Sequence, residues 1–264
     1  MANINLPKAG QILSENGFDM YFEIHGTGSP LLLLHGFTGS GALLIPLFSQ
    51  LADTHQLIIP DLRGHGRSTN PSKIFTHRQV ALDMFALLDY LNIDKINAIG
   101  FSAGGNALLH MAIQQPNKIQ TMALVSATPY YPKEARKLMQ QFTVESQTSD
   151  DWQAMREIHL QNDDQIHTIW QQANAFSQCY DDMNFTPPLL SKIKAKTLIV
   201  QGDKDPFYPI EISIEMYRNI PDSYLWIVPG GGHVPLSNDF MQTFINYLIN
   251  FFVIKEFLMS IEVV

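Results

Sequence analysis

Short, fully apolar runs recur along this chain, and stretches with helical periodicity separate them. The runs occupy residues 31–34, 57–59, 96–100, 122–125, 197–200 and 225–228. A strand that is apolar on both faces must be covered on both, so such runs predict a parallel sheet between helical layers. Residues 42–51, 79–91, 103–115 and 210–218 read as the helices. In 79–91, Val80, Met84, Leu87, Leu88 and Leu91 share one face. Residues 11–14 and 20–24, separated by Glu15-Asn16-Gly17, read as an antiparallel hairpin. The fold class expected is therefore α/β, with a mostly parallel central sheet and helices on both faces. A length of 264 residues suits one such domain carrying an insertion.

The insertion is expected between residues 128 and 191. That stretch lacks apolar strand runs, carries Tyr130, Tyr131, Phe142, Trp152, Trp170 and Phe176, and ends in Pro187-Pro188. It is too long for a loop of a compact domain and reads as a helical cap. Residues 1–127 and 192–254 would form the core, and 255–264 a C-terminal tail. Residues 240–259 are apolar but broken by Gln242, Asn246, Asn250, Lys255 and Glu256, as in an amphipathic terminal helix.

Composition narrows the partners. The chain is 45% hydrophobic and 16% charged, with a net charge of −8. An acidic surface without a Lys/Arg cluster argues against nucleic acid, which binds largely through phosphate neutralisation. No apolar run reaches the roughly 18 residues of a membrane span. No basic and apolar leader opens the sequence, so a cytoplasmic protein is expected. A single cysteine, Cys179, permits a reducing compartment. The His, Asp and Cys residues show no metal-ligand spacing, and neither metal nor cofactor is expected. A monomer and a homodimer are equally compatible with these properties.

The chemistry centres on Gly100-Phe101-Ser102-Ala103-Gly104, set between an apolar strand and a periodic helix. This G-x-S-x-G pattern is the sharp turn that lifts a serine hydroxyl above a sheet. A serine needs a base, and the base needs an orienting acid. In parallel α/β folds, ligands meet the carboxyl ends of strands, so partners are sought just past later strands. Asp203 and Asp205 follow residues 197–200, and His233 follows residues 225–228.

LLLLHGFTGS (31–40), DLRGHGRS (61–68), GFSAGG (100–105), GDKDPFYP (202–209) and GGGHVP (230–235) together resemble the α/β-hydrolase superfamily over nearly the whole chain. The resemblance implies Ser102 as nucleophile, His233 as base and, from the Gly-x-x-Asp spacing, Asp205 rather than Asp203 as the acid. It implies an oxyanion hole made by the backbone N–H groups of Phe37 and Ala103. Phe101, Trp152, Trp170, Phe176 and Val234 are the candidate pocket residues. His35, Asp61, Arg63 and His65 read as residues that hold their loops. Asp53, His55, Asp83 and His110 read as surface or helix positions, and His159 and His167 as solvated positions of the cap.

The leading function is hydrolysis of a small or medium carboxylic ester, thioester or lactone through an acyl-enzyme. The LHGFTGS run also resembles menaquinone-pathway synthases, which are lyases. The elbow suits C–C bond hydrolases and haloperoxidase-like enzymes too, although C–C hydrolases commonly carry Trp where this chain has Val234. A receptor that binds without turnover is the reading from another class. The partner common to these readings is a small-molecule, ester-like compound.

Overall fold

The computed structural model describes residues 10–236 and 238–252. The strands are β1 (Gln11–Glu15), β2 (Phe18–His25), β3 (Ser29–Leu34), β4 (His55–Pro60), β5 (Ile96–Phe101), β6 (Ile119–Val125), β7 (Lys196–Gly202) and β8 (Ser223–Val228). They form one sheet in the order β1-β2-β4-β3-β5-β6-β7-β8. The pairs β1–β2 and β2–β4 are antiparallel, and every pair from β4–β3 to β7–β8 is parallel. The first hairpin turns at Asn16 and Gly17, with φ of 52° and 75°. That geometry matches the twist of adjoining antiparallel strands and favours an Asn-Gly pair.

The helices are α1 (Ile45–Phe48), α2 (His77–Tyr90), α3 (Ala103–Gln114), α4 (Lys133–Met139), α5 (Ser149–Ile158), α6 (Asp163–Ala175), α7 (Pro187–Leu190), α8 (Ile210–Asn219) and α9 (Asn238–Phe251). Residues 42–51 do not form one continuous helix. They split into a 3-10 turn at Gly41–Leu43, α1, and a second 3-10 stretch at Ser49–Asp53. Pro46 opens α1 and has no N–H to bond to the turn before it. The predicted helix over 240–259 is described as α9, and its continuation, with the tail at 255–264, lies outside the described residues.

Strand alternation divides the core in two. Leu32 and Leu34 of β3 and Ala98 of β5 join the α2 and α3 side, with Val80, Met84, Leu87 and Leu108. Leu31 and Leu33 of β3 and Ile99 of β5 join the other side, with Phe48, Phe244, Ile245 and Leu248. Leu31 to Leu34 are all fully buried, as expected of strands covered on both faces.

The chain between β6 and β7 is helical, carrying α4 to α7, and contributes one isolated bridge, Tyr130 with Asn184. Met155, Ile166, Ile169, Trp170 and Ala173 form a small core of their own. Arg136 ties the ends of this segment together. It donates to the carbonyls of Tyr131, Ser177 and Cys179, at 3.0, 2.8 and 2.8 Å.

β3, β5 and α3 cross closely. A Cβ at Gly104 would stand 2.5 Å from the Leu34 carbonyl oxygen, and one at Gly100 would stand 2.6 Å from the Gly104 backbone. Backbone cannot yield as a flexible side chain can. Gly104→Ala should therefore destabilise the fold by about 1–3 kcal/mol, read as a lower urea midpoint. A midpoint equal to that of the parent would contradict this packing.

Candidate active site

Ser102 lies at the junction of β5 and α3, with φ 47° and ψ −111°. A side chain other than glycine rarely holds this backbone shape, so its surroundings must fix it. The Ser102 N–H donates to the Val125 carbonyl at 2.8 Å, and the Ser102 carbonyl accepts from the Asn106 N–H at 2.9 Å. The turn presents the hydroxyl at the carboxyl ends of the strands.

Ser102 Oγ is 2.9 Å from His233 Nε2, and His233 Nδ1 is 2.8 Å from Asp205 Oδ2. An ionised carboxylate only accepts, so the imidazole proton resides on Nδ1 and Nε2 accepts from the serine. Asp205 is clamped on both oxygens. Gln201 Nε2 donates to Oδ2 at 2.7 Å, and the N–H groups of Phe207 and Tyr208 donate to Oδ1 at 2.8 and 3.2 Å. Burial pushes the Asp205 carboxyl up, but hydrogen bonds and charge from His233, with the Phe207 N–H and Gln201, outweigh it and hold it below its usual range. Asp203 turns away and accepts from the Gly230 N–H at 2.6 Å. The two carboxylates are thereby distinguished: one orients the imidazole, the other closes the loop after β8.

The loop after β3 approaches Ser102 closely. A Cβ on Gly36 would lie 3.5 Å from Ser102 Cβ. His35 spans this loop and the next: its Nδ1 donates to the Gly36 carbonyl at 2.7 Å and its Nε2 accepts from the Leu62 N–H at 2.9 Å. Phe37 and Ala103 both line the cavity beside Ser102. The Ala103 N–H belongs to the first turn of α3, where no carbonyl inside the helix can accept from it.

The cavity encloses about 250 Å³. Phe37, Phe207 and His233 face Phe142, Trp170 and Phe176 of the helical segment across it. Phe37 meets Phe176 edge to face at 4.8 Å, and Phe207 stacks against Phe142 at 6.1 Å. Among the described residues, none of those lining the cavity is Lys, Arg, Asp or Glu.

Three of the expected pocket residues stand elsewhere. Phe101 follows Ile99 by two positions and so shares its face of the sheet, packing on Phe48 at 5.8 Å away from the cavity. Trp152 lies on the outer side of the helical segment against His167, at 4.9 Å. Val234 is 80% exposed. Trp170 and Phe176 do line the cavity.

Several polar residues expected at surface or helix positions, or at solvated positions of the cap, are buried, with Asp83 and His110 on helices as expected. Asp83 receives a bidentate pair from Arg63, both bonds at 2.7 Å. His55 is nearly buried on β4, and His110 donates to the Asp182 carbonyl at 2.8 Å. His159, expected in solvent, bridges the segments: its Nδ1 accepts from the Gly66 N–H at 2.9 Å and its Nε2 donates to the Thr38 carbonyl at 3.1 Å. Asp61 accepts from the N–H groups of Gly41 and Arg67, at 2.7 and 2.8 Å, and so holds its own loop.

Sequence reasoning missed Gln201, Phe207, Asn106, Tyr208, His77 and Asp182 as residues of this region. Gln201 immediately precedes the GDKDPFYP stretch and Phe207 lies within it, so their spacing from Asp205 offered a signal. His77 and Asp182 stand 105 positions apart, and no local pattern links them. Among the described residues, no group of three or more His, Cys, Asp or Glu side chains is arranged to hold a metal ion. No helix among them is long and apolar enough to cross a membrane.

The fold agrees with what known proteins show. Residues 29–144 match the family described as alpha/beta hydrolase fold. An esterase from Exiguobacterium antarcticum superposes with a TM-score of 0.76 at 21% identity, covering 91% of this chain and 98% of that one. The chain has the α/β-hydrolase fold. Serine hydrolase BPHL of Mus musculus is 27% identical over 83% of this chain and 78% of its own length. The chloroplastic protein PHYLLO of Arabidopsis thaliana is 31% identical over 43% of this chain but only 7% of its own length. The chain spans less than half the length of each of the relatives matched at 31% or 32% identity.

The buried histidines give the stability a pH dependence. His35 and His159 are each held down at about 4 by burial, and His65 is pushed well below 6.5 by burial and its histidine neighbours. Between pH 6.5 and about 4 the unfolded chain binds protons that the folded chain refuses. Their contribution is complete above pH 6.5 and is lost as pH falls toward 4. Lowering the pH from 7 to 4.5 should cost roughly 2–3 kcal/mol for each of these rings, measured by urea unfolding. A midpoint constant over that interval would contradict the neutral, buried state of these rings.

Proposed function

We propose that this protein is a serine hydrolase that cleaves a small, uncharged carboxylic ester, or a related thioester or lactone, through an acyl-enzyme. The observation that carries this reading is the hydrogen-bonded chain Ser102–His233–Asp205 opening on an apolar cavity. His233 takes the Ser102 proton as Oγ attacks the carbonyl carbon, and returns it to the departing alcohol. Asp205 holds the imidazole in the required tautomer and stabilises its protonated form. The N–H groups of Phe37 and Ala103 meet the oxyanion that develops on the attacked carbonyl. Water, activated by the same His233, then releases the acid and restores Ser102.

The pocket chemistry supports an uncharged acyl group. A carboxylate or phosphate entering a cavity lined without Lys or Arg would lose its water shell and gain no partner. The volume of about 250 Å³ lies below the usual range of drug-sized pockets and favours short or compact acyl groups. Residues 128–191 serve in this reading as a cap whose aromatic side chains exclude water from the intermediate. The names of an esterase and a serine hydrolase among the similar proteins support the same class of reaction.

A p-nitrophenyl ester series from acetate to palmitate tests the proposal. Turnover should peak at short acyl chains and vanish at palmitate. Ser102→Ala should reduce kcat on the order of 10⁴-fold or more. Asp205→Asn should cost on the order of 10⁴-fold and Asp203→Asn less than about tenfold, because only Asp205 fixes the imidazole tautomer. Equal losses for the two Asn variants would move the acid role. Labelling of Ser102 by an activated phosphonate without ester turnover would point to a narrower substrate, and absence of both would sink the reading.

A further inference from the structure

The cavity is not uniformly apolar. Apart from Thr38, the Ser102–His233 pair and the unpartnered Trp170 Nε1–H, its polar wall comes from His77, Asn106, Tyr131 and Tyr208. His77 and Tyr131 are hydrogen-bonded, Asn106 and Tyr208 adjoin them, and the proposed chemistry uses none of the four. The anchor of this array is Asp182, buried behind the wall at the return of the helical segment.

Asp182 Oδ2 receives the His77 backbone N–H at 2.6 Å and His77 Nδ1–H at 2.7 Å, and Oδ1 receives the Arg78 N–H at 3.0 Å. Burial pushes this carboxyl up, yet hydrogen bonds from His110 and His77 prevail and keep it ionised. Capping the start of α2 needs only the two backbone N–H groups. The His77 ring is an additional element, and it reaches the cavity.

Proton order follows from the anchor. With Nδ1–H given to Asp182, His77 Nε2 can only accept, and it takes the Tyr131 hydroxyl proton at 3.3 Å. Asn106 Oδ1 accepts from the Thr128 N–H at 2.9 Å, which leaves its amide nitrogen for the side of Tyr131 and Tyr208. The Tyr131 proton is thus committed within the wall. The Tyr208 proton is not committed by any of these bonds, and its ring lines the cavity while 3% exposed. Among the described residues no protein acceptor takes the Tyr208 hydroxyl proton, so a ligand oxygen in the cavity can accept it.

We propose that this array is a specificity subsite in which the Tyr208 hydroxyl donates to an uncharged acceptor oxygen, a ketone or ring ether, in the acyl part of the substrate. The natural substrate is then an oxo-acyl or oxygen-heterocyclic ester and not a plain alkanoate. Tyr208 touches the ligand; Asn106, Tyr131, His77 and Asp182 are positioning residues that order the protons behind it. The inference rests on the hydrolase reading for the identity of the acyl group, whereas binding at the subsite can be read without turnover.

The test uses hexanoate esters in which one methylene is replaced by a carbonyl at position 3, 4 or 5. The p-nitrophenyl esters are assayed with the parent protein, and the methyl esters are titrated calorimetrically into Ser102→Ala. At least one oxo ester should exceed hexanoate about tenfold in kcat/KM and bind Ser102→Ala about tenfold tighter. Tyr208→Phe should bring both ratios to within about twofold of unity. Tyr131→Phe, which frees the His77 acceptor, should lower them as well and serves if Tyr208→Phe fails to fold. Oxo esters all within about threefold of hexanoate in both readouts would overturn the subsite, as would a ratio that survives Tyr208→Phe. Discrimination in binding by Ser102→Ala, with no turnover by the parent, would uphold the subsite and refute the hydrolase reading alone.

Discussion

The backbone of Ser102 is the constraint from which the rest of the site takes its shape. A serine held at φ 47° stores strain that must be offset by neighbouring contacts. Here the offset comes from β6, which accepts the Ser102 N–H, and from α3, which starts on the Ser102 carbonyl. Both depend on Gly100 and Gly104, where any side chain would meet the backbone of the adjoining element. The parallel sheet holds β5 between β3 and β6, so the elbow has a rigid base on each side. A serine on a free loop would relax out of this conformation and lose its aim.

The loops that bring partners to Ser102 are fixed by buried polar groups, each with a definite charge state. Asp205 is ionised and four times bonded; His35 and His159 are neutral and use both nitrogens on backbone. A neutral imidazole can accept on one side and donate on the other, which suits it to joining two loops. His159 performs that task between the helical segment and the loop beside Phe37. Arg63 and Asp83 do the equivalent for the loop after β4, with the guanidinium also over the Phe18 ring at 4.6 Å. Buried pairs of this sort add modestly to stability but are costly to break singly.

Much of this architecture could be read from the chain before the structure. The apolar runs located every parallel strand, because a strand covered on both faces leaves a continuous signal. Their ends shifted by a few residues, as with β6, which begins at Ile119 and not at 122. Ser102, Asp205 and His233 were legible because each sits in a short motif directly past a strand. Asp83 and His110 were legible as helix positions but not as buried ones, because α2 and α3 are covered on more than one side and amphipathic reasoning assigns polar residues to water. The cavity wall was the least legible part. Its composition of aromatics was visible, but Trp152 and Trp170 differ only in which way their helices face. His77 and Asp182 meet through the tertiary fold alone.

The proposed mechanism requires a covalent bond between Ser102 and the acyl group of an ester. Its most direct test is mass spectrometry of the protein quenched in acid during steady-state turnover of p-nitrophenyl butyrate. The mechanism predicts a fraction of the protein heavier by one butyryl group in place of one hydrogen, with the modification mapped to the peptide containing Ser102. The same mass on another peptide, or turnover with no acylated protein even after rapid quenching at low temperature, would contradict it.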